Sequence, residues 1–375
     1  MKKALRTLLA ALMALALSLS CNAFAETTEN FDGVLVSEGM MDIQYAEGFT
    51  IEMFKGGYRM VTDKYSNSPI LVVPEGMSVP AELPENTQVL QLPVNNAYIC
   101  GTNVVAMVDA IGGIDKVKLV GADSTWRFQS IIDQIESGYT QFAGGYTSDL
   151  DYEIVATAGT QLVVWNGYEE EVFQKLRALN VVVVCEENTS EPNLYGRMDW
   201  FRCLGVLLGI EEQSEAYYAA QVATIEGIGA NGPTGKVVAM GGLSASSGKY
   251  FSRKSGDFQA DYIRYAGGEY ALEDVETGVG GSLTMTGEDF YLRFKDADVV
   301  IWSMSIGDEE TLEALVEVYP AIVDFKAYQN KQIYIQADKY IQTGAADPAC
   351  VVNDIYTILT SDDPEVTTDH IVRLP

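Results

Sequence analysis

An α/β fold of two lobes, each a parallel-rich sheet covered by helices, joined by one long spine helix with a cleft between them, is the architecture the sequence predicts. Three observations carry that expectation. Short β-branched runs alternate with helical stretches on both sides of the middle of the chain. The pattern from Glu153, an acidic residue opening a short helix and then a buried strand ending in Trp165, recurs from Glu288 to Trp302. Between the halves lies "RMDWFRCLGVLLGIEEQSEAYYAAQ", Arg197 to Gln221, helical in composition and free of proline.

The chain opens with Lys2, Lys3 and Arg6, an apolar run from Leu8 to Leu19 and then small residues, the layout of a secretory leader over residues 1–25. Two cleavage patterns coexist. Ala23-Phe24-Ala25 is an A-x-A site, and Leu17-Ser18-Leu19-Ser20-Cys21 matches a lipobox in which Cys21 becomes the lipidated first residue. No later stretch approaches the roughly 20 apolar residues of a spanning helix.

Residues 26–194 read as the N-terminal lobe. "GFTIEMFKGGYRMVTD" gives two alternating strands about Gly56-Gly57. "YICGTNVVAMVDAIGG" is a helix stopped by a Gly pair, followed by the strand "KVKLVG". "DYEIVATAGTQLVVW" and "EVFQKLRALNVVVVC" each read helix then buried strand. The spine is expected over residues 195–229; the stretch from Arg197 to about residue 228 alone is roughly 30 residues and about 45 Å in one helix, until "GANGPTG" stops it. Residues 230–375 form the C-terminal lobe, with strands in "KVVAMGG", "VVIW" and "KQIYIQ" and helices in "DYIRYAGG" and "EDFYLRF".

Composition narrows the function. The 375 residues are 47% hydrophobic, enough for a large core, and the formal charge of −29 becomes −32 once the three cations of the leader are lost. Nucleic acid is thereby disfavoured as a partner. Cys100, Cys185, Cys203 and Cys350 are widely spaced with no CxxC, so buried free thiols are expected. His370 is the only histidine, which leaves a His-rich metal site in the cleft unsupported. No HExxH or G-x-S-x-G occurs, and "ANGPTGKV" lacks the first Gly and the Ser/Thr of a phosphate loop. The remaining enzyme reading is a carboxylate pair, for which no spacing selects the partners; a surface sensor on the same lobes stays open beside it.

Together "IGGIDKVKLVG", "DYE" with "TQLVVW", "YGRMDWFRCLGVLLGIEEQSEAY", "YAGGEY" and "GEDFYLRFKDADVVIW" make residues 45–372 resemble the substrate-binding proteins of ABC importers. The specific resemblance is to the helical-spine class, which includes binders of iron-siderophores, heme and cobalamin. It implies a monomer that captures a metal chelate between its lobes and delivers it to a permease dimer with its ATPase subunits. It implies no cofactor of the protein's own, because iron or cobalt arrives within the ligand. By motif position, Glu153 and Glu288 would dock onto permease arginines, one from each lobe.

A flat or anionic ligand calls for aromatic planes and cations on the loops at the strand ends. The N-terminal lobe offers Tyr98, Trp126, Arg127, Trp165 and Tyr168, with Tyr195 and Arg197 at the start of the spine. The C-terminal lobe offers Tyr250, Arg253, Lys254, Trp302 and Tyr340.

Overall fold

The computed structural model describes residues 33–375 apart from 124, 146, 147, 245, 307–309, 362, 364 and 365. The leader and Cys21 therefore lie outside the described residues. Among those described, no helix is long and apolar enough to cross a membrane.

Strands β1 (Ser37–Met40), β2 (Phe49–Phe54), β3 (Arg59–Asp63), β4 (Ile70–Val73) and β5 (Gln88–Gln91) form a first sheet in that spatial order, antiparallel except between β4 and β5. The expected hairpin is β2 and β3, in register Phe49 to Asp63, with Gly56 and Gly57 both at positive φ in the turn. The sequence reading did not anticipate the other three strands.

The second sheet is built from β6 (Ala97–Ile99), α1 (Thr102–Ala110), β7 (Val117–Val120), α2 (Gln129–Glu136), β8 (Gln141–Phe142), α3 (Tyr152–Thr157), β9 (Leu162–Asn166), α4 (Glu170–Ala178) and β10 (Val182–Glu186). Its strands are all parallel, in the order β10-β9-β6-β7-β8. Side chains alternate across it. Ile99, Val164 and Val184 point into the main core, while Tyr98, Val163, Trp165, Val183 and Cys185 point into a separate core on the opposite face. Ala97 to Ile99, read from sequence as the start of a helix, is instead a strand whose end at Gly101 caps α1. At the free edge of β10, the Gln88 side chain accepts from Val183 N and donates to Val183 O, both at 2.9 Å, standing in for a neighbouring strand.

The expected single spine helix is two helices. α5 (Leu194–Leu208) ends at Gly209, which is left-handed at φ 70°, and Ile210 N closes the turn on Gly205 O at 2.8 Å. α6 (Glu211–Gly229) then doubles back. The Phe201 and Tyr217 rings lie 5.2 Å apart, and Arg202 reaches Glu215 at 2.7 Å. In one straight helix, Phe201 and Tyr217 would be about 24 Å apart. The close crossing depends on Gly205, where an added Cβ would sit 1.9 Å from Ser214 Oγ.

Every residue of α5 except Arg202 is buried, whereas α6 buries only Ser214, Gln221 and Ile225. α5 is thus the centre of the molecule, and the main core runs through it without interruption from the second sheet to the third. Two buried carboxylates also hold the N-terminal segment against it. Asp199 accepts from Tyr45 N and Ala46 N, and Glu191 accepts from Glu47 N, Gly48 N and Trp200 Nε1.

The third sheet comes from β11 (Val237–Ser244), β12 (Lys249–Arg253), α7 (Phe258–Tyr265), β13 (Glu269–Tyr270), β14 (Ser282–Met285), α8 (Gly287–Phe294), β15 (Val299–Trp302), α9 (Leu312–Val318), α10 (Lys326–Gln329), β16 (Ile333–Gln336), α11 (Tyr340–Thr343), α12 (Pro348–Thr360) and β17 (Ile371–Arg373). The central strands β11, β15 and β16 are parallel, β12 and β17 flank them antiparallel, and β14 pairs antiparallel with the outer side of β12.

Candidate ligand-binding site between the lobes

In open α/β sheets, ligands sit beyond the carboxyl ends of the strands. Here the loop after β7 meets the loop after β16. Arg127 pairs with Asp338 at 3.1 Å, while Gln342 accepts from Arg127 N at 2.8 Å and donates to Thr125 O at 3.0 Å. The two sets of strand ends are therefore drawn together. Trp126, buried beside this contact, packs edge-on to Phe128. The ion pair itself is largely exposed and contributes less than about 1 kcal/mol, a weak latch.

Behind the latch lies a cavity of about 290 Å³, lined by Asp109, Arg127 and Phe128 from one lobe and by Lys339, Thr343 and Asp369 from the other. Pockets for drug-sized ligands begin near 300 Å³. A heme or ferric siderophore would need the lobes to part further. A second cavity, about 320 Å³, lies on the N-terminal lobe around Lys118, Tyr139 and Gln141, away from the strand ends.

A polar centre sits at the ends of β10 and β12. Arg197, in the first turn of α5, donates through Nε and Nη2 to the same oxygen of Asn188, at 3.0 and 2.8 Å. Nη1 is left without a partner among the described residues. The guanidinium lies 3.9 Å over the ring of Phe258 at the start of α7. Arg253, with the Gln259 amide oxygen turned towards it, donates to that oxygen at 3.1 and 2.9 Å. Both arginines lie close enough to the Tyr340 hydroxyl to favour its phenolate, but burial outweighs them and raises its pKa.

Beneath Arg197, Glu186 ends β10 fully enclosed. Its Oε1 accepts from Asn188 N at 2.7 Å and Asn188 Nδ2 at 2.5 Å, and its Oε2 accepts from Asn166 Nδ2 at 3.0 Å. Burial pushes its pKa up to about 7, against the Asn188 hydrogen bonds and the pull of Arg197. Glu186, Asn188, Asn166 and Gln259 escaped the sequence reading; a polar residue directly after an apolar run was the available signal.

The structure places the sequence-predicted residues in several settings. Arg197, Arg253 and Tyr340 converge on the polar centre, whereas Trp126 and Arg127 stand at the latch to Asp338 and Gln342. Tyr98 and Trp165 share the parity of the outer core, where their rings meet edge-on at 6.2 Å and the Tyr98 hydroxyl donates to Gly144 O. Trp302 and Tyr250 pack with Phe290 and Tyr319 in the C-terminal core. Tyr195 is held between Tyr45 and Tyr265, each 5.1 Å away. Tyr168 is exposed beside Glu170, and Lys254 pairs with Glu276 at 2.7 Å.

Glu153 and Glu288 both stand in first turns. Asp151 caps α3 by accepting from Glu153 N, and Thr286 caps α8 by accepting from Asp289 N. Both carboxylates are exposed, and neither is in an ion pair among the described residues.

No family model matches the chain. Two uncharacterized lipoproteins of Methanocaldococcus jannaschii are each 23% identical to it, one over 74% of this chain and 68% of its own length, the other over 84% and 82%. Among solved structures, the periplasmic heme-binding protein HutB of Vibrio cholerae aligns with TM-score 0.58 at 16% identity, covering 71% of this chain and 99% of that one. A possible iron-binding periplasmic solute-binding protein from Staphylococcus epidermidis gives 0.55 at 14%, over 72% and 100%. An ABC-type Fe3+-hydroxamate transport protein from Saccharomonospora viridis gives 0.52 at 15%, over 72% and 94%. These likenesses establish the fold class: the chain has the two-lobe α/β fold of the periplasmic binding proteins, as its resemblance implied.

Proposed function

We propose that this chain is the extracytoplasmic solute-binding component of an ABC importer and captures an anionic metal chelate, of the iron-siderophore, heme or corrinoid type, between its lobes. One observation carries the reading. In a protein of net charge −29, Arg197 of the central helix α5 and Arg253 of the C-terminal lobe both lie close to the Tyr340 hydroxyl, which brings two cations together in an acidic molecule. Guanidinium donors with an aromatic plane beside them suit carboxylate or hydroxamate oxygens on a flat ligand.

The fold neighbours support the ligand class, since their names describe binding of heme, Fe3+-hydroxamate and, in BauB, ferric acinetobactin. They support a transport role over an enzymatic one in the same way. The lipoprotein relatives support anchoring through a lipid on Cys21; Cys21→Ala should then move the protein from the membrane to the soluble fraction. The protein acts as a monomer, with Glu153 and Glu288 presented to the two halves of the permease. The iron or cobalt enters with the ligand.

The test is thermal unfolding of the mature protein against ferric siderophores, heme, corrinoids and bare metal ions, because a ligand that binds only the folded state raises the midpoint. A rise with one chelate, lost in Arg197→Met, supports the reading. A folded protein that responds to none of the chelates refutes it.

A further inference from the structure

The geometry points to a second site, on the C-terminal-lobe wall of the interlobe cavity and apart from the arginine centre: a divalent-cation site of the zinc type, formed by Cys350 Sγ, Asp369 Oδ2 and His370 Nδ1. These three donors all lie within 4.8 Å of one another. Oδ2 of Asp369 is 3.9 Å from Cys350 Sγ and 3.7 Å from His370 Nδ1. Ligands of a four-coordinate zinc ion stand roughly 3.5 Å apart, so the set needs little contraction to close on one.

The decisive atom is His370 Nδ1. The ring is 2% exposed, and Nδ1 is buried with no hydrogen-bond partner. Its tautomer follows from its neighbour. Thr343 spends its hydroxyl proton on Lys339 O at 2.9 Å, so Thr343 Oγ1 accepts from His370 Nε2 at 3.1 Å. The ring proton is on Nε2, and the bare lone pair of Nδ1 faces the Asp369 carboxylate. Two acceptors face each other there with a thiol beside them, the arrangement a cation resolves. A metal-bound histidine is held in this way, with its far nitrogen donating to a fixed acceptor.

The surrounding structure builds the site. Cys350 lies in the first turn of α12, and Asp354, one turn on, points the same way. Oδ2 of Asp354 accepts from Asp369 N, His370 N and Ile371 N at 3.0, 2.6 and 3.2 Å, and so pins the segment that carries two ligands beneath the third. Lys339 binds only Oδ1 of Asp369 and leaves Oδ2 to the cluster. The cavity of about 290 Å³ reaches Asp369 and His370, which gives an ion and a fourth, water ligand a way in. A sulfur, nitrogen and oxygen donor set with one open position selects zinc among common divalent ions. On ligation the Cys350 thiol releases its proton to solvent.

Cobalt(II) titrated into metal-stripped mature protein tests the site. The expected result is the intense visible absorption of a four-coordinate ion with a near-ultraviolet sulfur-to-cobalt band, both displaced by one equivalent of Zn2+. Cys350→Ser should abolish the sulfur band and weaken Zn2+ binding by on the order of ten-fold or more. Asp369→Asn, at an exposed position, should weaken binding while keeping the band, and Lys339→Met should tighten it. A weak six-coordinate spectrum without a sulfur band overturns the proposal, as does a Cys350→Ser or Asp369→Asn titration that matches the unmodified protein.

Discussion

Replacing Glu186 with Gln tests the electrostatics of the polar centre most directly. In the folded protein the carboxyl has a pKa of about 7, chiefly because it is buried. In the unfolded chain it returns to about 4.5. Between those values the native state holds a proton that the unfolded state has lost, so stability falls as pH rises through this window and levels off above pH 7. Each unit is worth 1.36 kcal/mol, so the penalty at pH 8 is about 3 kcal/mol. Glutamine removes the titration and keeps an oxygen for the two Asn188 donors, while Asn166 can turn its own oxygen to the new amide. Urea denaturation from pH 4 to 8 should show the variant and the unmodified protein equal near pH 4. By pH 8 the variant should be more stable by up to about 3 kcal/mol, less any cost of rearranged hydrogen bonds. A difference that is flat with pH would show that Glu186 does not titrate in this window and would refute the reasoning.

Further outcomes follow from the packing and the surface. Gly205→Ala places a Cβ 1.9 Å from Ser214 Oγ and should cost about 1–3 kcal/mol in chemical denaturation, with most of it recovered by adding Ser214→Gly. Arg127→Ala removes the exposed latch to Asp338; in stopped-flow binding it should speed chelate association while changing equilibrium affinity by less than about five-fold. Glu153→Arg with Glu288→Arg should abolish cellular uptake at unchanged ligand affinity. Lost affinity would place those carboxylates in the pocket instead.

Much of the fold was legible because it is written in local periodicity. The runs 162–165, 182–185 and Val299–Trp302 are continuous and apolar, as strands covered on both faces must be. The break at Gly209 was also readable, since a glycine followed by Ile210 and then Glu211-Glu212 is a helix stop and an acidic restart. The apolar residues on either side masked it. Ala97 to Ile99 is too short for a period to declare itself, and helical α1 absorbed it. The site was less legible. Arg197 could be found as a cation ahead of a helix, but Asn188 and Gln259 matter only because the topology brings β10 and α7 together. Tyr98 and Trp165 were misleading for a different reason. Aromatic side chains at strand ends serve a pocket or a core according to which face they take, and these two take the face with Val163 and Val183.

The unbroken core through α5 bears on how the molecule comes apart. The two lobes share one apolar interior, and their packing against a common helix leaves no seam at which one could melt alone. Unfolding should therefore register as a single calorimetric transition, despite a chain long enough for two. A ligand held by loops of both lobes would raise the melting point of the whole protein, including strands far from the loops it touches.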